Sequence, residues 1–341
     1  MSTGNVVLVT GVSRDLGRTF ARSLAADPSV ERVIGVDVVP PRGDIGDVSF
    51  VRADIRNPVI AKVIAKEDVD TVVHMSIIST PGSAGGRGTM KELNVIGTMQ
   101  LLAACQKAPS LRSLVVKSTT TVYGASSRDP AMFTEDMGPR RAPRSGYAKD
   151  VAEIESYVRG FGRRRSDVRV TLLRAANVIG PQVRSPISSY FRLPVIPTVL
   201  GHDARMQFLH EDDLYAVLRH AVLADVAGTF NVAGSGILML SQAVRRLRRP
   251  WLPLPGIAVG NLGSTLRSAG LADFSPEQLG FLTYGRGVDT TRMREVLGFT
   301  PAHTTHEAFD DFIASLPPPA AYAERALRAA ERQLIGGEVH G

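Results

Sequence analysis

The chain has 341 residues, 44% of them hydrophobic and 21% charged, with 40 basic against 33 acidic side chains and a net charge of +7. That length holds two domains or one large α/β unit with ample core, and the composition excludes a disordered chain. The single Cys105 excludes an internal disulfide framework and a multi-Cys metal centre, so no metal is expected. No run approaches the ~20 apolar residues that cross a bilayer, so no membrane contact is expected. Met1–Asn5 lacks the basic flank of a signal peptide and Val6–Val9 is too short for an export core, which points to a cytoplasmic protein. Arg163–Arg165 and the Arg245, Arg246, Arg248, Arg249 cluster lack aromatic interleaving and zinc-ligand spacing. They read as solvated helix faces, not as nucleic-acid contacts. An acidic small molecule is the more economical partner for this charge balance.

The first half alternates strand and helix signals. Val6–Thr10 is a β-rich run, and Arg14–Ala26 has a helical pattern stopped by Asp27–Pro28. Val33–Asp37 and Val48–Val51 read as strands. Asn57–Pro58 opens a helix with Val59, Ile60, Val63 and Ile64 on one face. Thr71–Met75 is a fourth strand, Met90–Ala108 one long helix, Leu114–Lys117 a fifth strand, Tyr147–Gly160 a helix and Val168–Leu173 a sixth strand. This alternation predicts an α/β fold, a doubly wound parallel sheet covered on both faces, with ligands at the carboxyl ends of the strands. After about residue 180, Pro181, Pro186, Pro194 and Pro197 break the pattern. Glu211–Leu223 then reads as a helix, Gly228–Val232 as a strand, Trp251–Pro255 as extended, and Thr291–Leu297 and Thr305–Ile313 as short helices. The expected division is a nucleotide-binding unit over 1–180 and a smaller substrate lobe over 181–316, interleaved with the sheet. Residues 317–341 form a tail containing an Ala/Arg/Glu-rich helix, Ala321–Leu334.

Thr10-Gly11-Val12-Ser13-Arg14-Asp15-Leu16-Gly17 joins the first strand to the first helix. Gly11 permits a tight turn, Gly17 lets the helix pack closely on the strand, and the helix N-terminus offers free N–H groups and a positive dipole end to a pyrophosphate. Asp37 ends the next strand about twenty residues on, where a carboxylate accepts the ribose 2′-hydroxyl and repels a 2′-phosphate.

In these motifs the sequence resembles the extended short-chain dehydrogenase/reductase family, its NAD-dependent epimerase/dehydratase group, over roughly residues 5–315, with the UDP-glucose 4-epimerase-like members as the nearest likeness. Thr10–Gly17 is similar to the family's TGxxGxxG, with Arg14 in place of the middle glycine. By this likeness Gly11, Ser13, Arg14, Asp15, Leu16, Gly17 and Asp37 contact the cofactor. Arg14 favours NADP and Asp37 favours NAD; the reading takes NAD because Asp37 lies nearer the 2′ position, and NADP stays open. Asp54-Ile55 resembles the pair that contacts adenine. Val73–Ile77 resembles a VVHxAA strand end that lines the cofactor through Met75, Ser76 and Ile77, with His74 structural. Asn94–Thr98 resembles NVxGT, whose Asn supports the site. Ser118–Gly124 resembles SSxxVYG, Arg174–Pro181 RxxNVYGP, Gln207–Asp213 (D/Q)FIHVxD, and Asp289–Gly298 the C-terminal DxxRxxxxLG element. The likeness also implies a homodimer through the helices around 90–108 and 147–160.

In the family, a Tyr exchanges the sugar hydroxyl proton, a Ser or Thr hydrogen-bonds the same oxygen, and a Lys four residues after the Tyr holds the ribose and lowers the Tyr pKa. Here Thr119 and Tyr147 take the first two positions, with Ser118 and Tyr147 also at the cofactor, but Val151 stands where the Lys belongs. Lys149 lies two residues on, about 200° around a helix, whereas four residues return to within about 40°. No RPGD-like segment is present. Thr120, Asn177, Arg184, Arg205 and Arg286 are the substrate-side candidates. Two functions follow: an NAD-dependent enzyme acting on a nucleotide sugar, or a catalytically impaired NAD(P)-binding sensor or scaffold.

Overall fold

The computed structural model describes residues 5–79, 85–139, 143, 146–258 and 275–318. The expected helix Ala321–Leu334 lies outside them. The strands of the first half are β1 (Asn5–Thr10), β2 (Val30–Asp37), β3 (Ser49–Arg52), β4 (Thr71–His74), β5 (Ser113–Thr119) and β6 (Arg169–Ala175). Between them run α1 (Asp15–Ala25), α2 (Val59–Lys66), α3 (Arg87–Lys91), α4 (Gly97–Gln106) and α5 (Gly146–Arg164). Val-rich strands such as β1 and β5 are buried along nearly their whole length because helices cover both faces.

Beyond β6 come β7 (Asn177–Ile179), α6 (Pro186–Phe191), β8 (Ile196–Val199), β9 (Arg205–Met206), β10 (Phe208–His210), α7 (Glu211–Leu223), β11 (Gly228–Val232), β12 (Leu238–Met239), α8 (Leu240–Leu247) and β13 (Trp251–Leu254). Helices Pro276–Tyr284, Thr291–Glu295 and Thr305–Ala314 follow. Seven strands form one sheet in the order β3-β2-β1-β4-β5-β6-β11, parallel throughout. The chain runs from β1 outward through β2 to β3 and then crosses back to place β4 on the other side of β1, so the order reverses between β1 and β4 and a crevice opens at the carboxyl ends of those two strands. A second apolar cluster, containing Tyr190, Phe191, Phe208, Phe309 and Phe312, holds the later elements together beside the sheet.

The expected helix Met90–Ala108 is instead α3, a π-helical turn over Glu92–Ile96, and α4. The reason is a contact with the segment after β4. The Asn94 amide accepts from Ile78 N at 2.7 Å and donates to Ile78 O at 2.8 Å, which pins the segment after β4. Thr98 donates to the Asn94 carbonyl at 2.5 Å, and its hydroxyl also meets His74 Nε2 at 2.8 Å. One extra residue in that turn aims Asn94 inward, a use typical of π-bulges. His74 is fully enclosed, and burial pulls its pKa down to about 4, so it is a neutral structural imidazole.

A buried polar network ties β5, α5 and β6 together. Glu155 receives Arg174 Nη2 at 2.7 Å, Ser118 Oγ at 2.7 Å and Arg159 Nη1 at 3.0 Å. Arg174 Nη1 also donates to Tyr123 OH at 2.7 Å, and that hydroxyl donates to Asn231 Oδ1 at 2.7 Å on β11. Removing one member of a buried pair strands the other charge in low dielectric. Arg174→Leu is therefore expected to cost about 3–5 kcal/mol in urea unfolding. Arg159→Ala, on the same carboxylate but half exposed, should cost less than about 1 kcal/mol.

Candidate active site

Gly11, with φ +85°, turns the chain out of β1 so tightly that a Cβ there would sit 3.0 Å from Ser76 Cα. Gly17 is tighter: a Cβ would lie 2.2 Å from the Gly11 carbonyl oxygen. The first turn of α1 is thus laid against the ends of β1 and β4, and its Asp15, Leu16 and Gly17 line a cleft of about 1770 Å³. That exceeds the ~300–1,000 Å³ typical of a site for one drug-sized ligand. Gly11, Ser13 and Arg14 line the same end, with Asp37 from the end of β2 and Met75 and Ile77 after β4. The Asp37 carboxylate accepts from Ser13 N at 3.0 Å and Val38 N at 2.8 Å, which fixes it at the cleft edge.

The opposite end is built by β5 and α5. Strand alternation, continued into the 3₁₀ turn Thr120–Tyr123, puts Lys117, Thr119, Thr121 and Tyr123 on the cleft and buries Val116, Ser118, Thr120 and Val122. Thr119 Oγ1 accepts from Thr121 N at 3.2 Å. Tyr147 enters from the first turn of α5, where Gly146 has φ +77° and a Cβ would collide with Glu277. Glu277 in turn accepts from Ala148 N at 3.2 Å and also caps Tyr147 N, so a residue of helix Pro276–Tyr284 holds the start of α5. Arg87 clamps the same turn: it is bidentate on Asp150, at 2.5 and 2.8 Å, and donates to Gly146 O at 2.8 Å. Burial, followed by the charges of Asp150 and Glu277, pushes the Tyr147 phenol above its ordinary value, and Arg14 opposes that rise.

On the third side, Asn177 and Arg184 line the cleft together with Arg286. Arg184 is exposed at the rim. Arg286 is deeply placed: Nη1 donates to Gly124 O, Nε is buried without a partner, and burial brings its pKa down to about 10. The guanidinium also packs over the Phe281 ring, 5.3 Å from its centroid.

Other expected contacts lie elsewhere. Thr120 is turned into the interior, and Thr121 has the cleft position, because the alternation of β5 continues through the turn. Ser118 is committed to Glu155, and Asn94 to Ile78. Asp54, whose carboxyl the Arg56 hydrogen bond holds low, is paired beside the cleft, and the Ile55 side chain packs against Gly97. Ser76 meets the cleft turn through its backbone at Gly11. Arg205 donates to Pro130 O at 3.3 Å, away from the cleft wall. Val151 is fully buried in the apolar core and Lys149 is exposed, so neither brings charge to Tyr147. Sequence reasoning missed Lys117 and Glu277. The signal for Lys117 was present, since a lysine two residues before Thr119 on one strand shares its face.

Outside the cleft, His210, Asp213 and His303 bring possible metal-ligating atoms within 4.8 Å of one another, a cluster not foreseen from the sequence. Their atoms are used in joints: His210 Nε2 meets Asp311 at 2.9 Å, and Asp213 accepts from Ala302 N and His303 N at 2.7 and 3.0 Å. No described helix is long and apolar enough to cross a membrane.

A doubly wound parallel sheet with a glycine turn and a cleft at its switch point defines a Rossmann-type protein. The chain belongs to the NAD dependent epimerase/dehydratase family, whose sequence model matches residues 7–233. It is 52% identical over 311 residues to an uncharacterized protein of Mycobacterium tuberculosis strain H37Rv, covering 90% of this chain and 83% of that one. It is 26% identical to a UDP-glucose 4-epimerase of Mycolicibacterium smegmatis over 86% of this chain and 93% of the other. Among solved structures, a UDP-glucose 4-epimerase from Thermotoga maritima with UDP-glucose aligns at TM-score 0.70 and 18% identity, covering 94% of this chain and 99% of that one. A UDP-glucuronic acid 4-epimerase from Bacillus cereus, in complex with UDP-glucuronic acid and NAD, aligns at TM-score 0.68 and 19% identity over 91% and 99% of the two chains. At these identities the structural likenesses show the fold.

The turn tolerates no side chain at Gly17. Gly17→Ala is expected to lower stability by about 1–3 kcal/mol in thermal or urea unfolding, since backbone at Gly11 must move to admit the methyl.

Proposed function

We propose that the protein is a cytoplasmic NAD-dependent enzyme of epimerase or dehydratase type acting on a nucleotide sugar. The observation that carries this reading is one cleft with the glycine turn and Asp37 at one end and Thr119 and Tyr147 at the other. The residues present fit a dinucleotide. The Gly11 and Gly17 cradle is one that a Cβ would fill, the free N–H groups of α1 face the cleft, and Asp37 is fixed at the position that suits a ribose hydroxyl. When bound there, NAD supplies a hydride acceptor that can return what it takes.

Tyr147 takes the proton of a sugar hydroxyl and gives it back, and Thr119 hydrogen-bonds the same oxygen. Arg286 and Asn177 serve the anionic portion of the substrate, with Arg184 at the rim. The raised pKa of Tyr147 leaves little phenolate to accept a proton at neutral pH, so the site calls for positive charge beyond that of Arg14. A cofactor-binding sensor or scaffold is the competing reading, favoured by the apolar Val151 on α5.

Titration calorimetry with NAD, followed by a screen of nucleotide sugars for turnover, tests the choice. Tyr147→Phe is expected to lower kcat about 10²- to 10⁴-fold while leaving NAD affinity within a few-fold. Turnover that survives this change unaltered rejects Tyr147 as the acid/base, and NAD binding with no sugar turned over supports the sensor reading. We further propose a homodimer through the helical segments around 90–108 and 147–160, the first of which leaves Ile96 and Met99 41% and 38% exposed. Light scattering is expected to give twice the monomer mass, and a monomer at all concentrations removes the proposal.

A further inference from the structure

The one cation acting on Tyr147 is Arg14 from the β1–α1 turn, and α5 brings none to the cleft. Val151 is sealed in the core, Lys149 faces solvent, and Arg87 is spent on Asp150. The cleft does contain an uncommitted ammonium. Lys117 stands on β5 two residues before Thr119, on the same face of the strand, and lines the same cleft as Tyr147 and Arg14. Among the described residues it has no hydrogen bond and no ion pair. The ionisable groups that line the cleft with it are Arg14 and Asp15 at the β1–α1 turn, Asp37 and Arg42 at and beyond the end of β2, Tyr123 and Asp129 after β5, Tyr147 on α5, Arg184 and Tyr190 beyond β7, and Glu277 and Arg286 beyond the sheet. Of these only Arg14 acts on it appreciably, and with like charge.

A desolvated ammonium whose one appreciable electrostatic neighbour is a guanidinium is held at a cost. Such an arrangement persists where a ligand supplies the missing oxygens. The position selects which part of the ligand. Arg14 caps the start of α1, where a pyrophosphate belongs, whereas Lys117 lies at the end of β5 beside Thr119, where the reacting centre belongs.

We propose that Lys117, on strand β5, supplies the cation that Val151 on α5 does not: it holds the ribose hydroxyls at the reactive end of the dinucleotide and presents positive charge toward Tyr147, while Arg14 serves the pyrophosphate. This rests on the reading of the cleft as an NAD site. Burial, reinforced by Arg14, brings the Lys117 pKa down to about 8 in the free protein. Ligand oxygens and pyrophosphate charge both favour the ammonium, so NAD binding raises it and draws in a proton.

The test is NAD calorimetry at pH 8 in two buffers of different ionisation heat, which reads proton uptake directly. The wild-type protein is expected to take up about half a proton per NAD, as follows for a group half-charged at that pH. Lys117→Met should abolish the uptake and weaken NAD binding about tenfold or more. Lys117→Arg keeps the charge at every pH, so it should hold affinity within about threefold yet take up no proton. A lysine with only a structural part would not separate affinity from uptake in this way. Uptake by Lys117→Arg equal to wild type, wild-type binding with no uptake, or unweakened binding by folded Lys117→Met each overturns the proposal and leaves the NAD reading standing. Failure of the wild-type protein to bind NAD at all overturns that reading and the proposal with it.

Discussion

Helix α1 can reach the end of β1 only because two glycines meet there. The Gly17 α-carbon approaches the Gly11 carbonyl too closely for any side chain, and Gly11 itself lies against the Ser76 backbone after β4. This contact turns a parallel sheet into a site. It brings the open N–H groups of a helix to the place where the strand order reverses, and the cleft begins from that point. Lateral placement then follows from the sheet. β2 delivers Asp37 on one side, and β4 and β5 deliver Met75, Lys117 and Thr119 on the other, in a register set by parallel pairing.

Behind the cleft wall, polar side chains rather than apolar ones fix the spacing of elements. Glu155 joins α5 to β5 through Ser118 and to β6 through Arg174, and Arg174 extends the connection to Tyr123 and on to β11. A hydrocarbon core would tolerate small slides of α5 along the sheet, whereas directional bonds to a buried carboxylate do not. The front of α5 is fixed independently by Glu277 and Arg87. Tyr147 is therefore held from the start and the middle of its helix, as proton transfer at a defined oxygen requires.

Most of the sheet was readable because its signals are local. Short Val-rich runs between amphipathic stretches identify β1 to β6, and the Gly11–Gly17 spacing with Asp37 after the next strand identifies the turn. What failed to show was set by contacts between distant segments. The break of the 90–108 helix into a π turn follows from Asn94 gripping Ile78, sixteen residues away and invisible to periodicity. Thr120 and Thr121 differ only in how a strand's alternation runs into a 3₁₀ turn. Glu277 reaches the start of α5 across 129 residues of sequence, and no spacing rule spans that distance.

Lys117 shows a different limit. A motif read along α5 searches for charge at one position of one helix, and there finds Val151. Electrostatics has no such preference, because a cation acts through its distance and the dielectric between, from whichever element carries it. In this cleft Arg14 and Lys117 come from separate strand ends and repel each other. Their mutual cost falls when anionic oxygens arrive at Arg14, so occupancy at the helix end of the cleft favours the charged form of the lysine at the reactive end. A single lysine four residues after the tyrosine has no such dependence on a second cation. Moving the ammonium from helix to strand therefore couples the charge beside Tyr147 to the presence of the dinucleotide, and it frees the α5 position for a valine that completes the core.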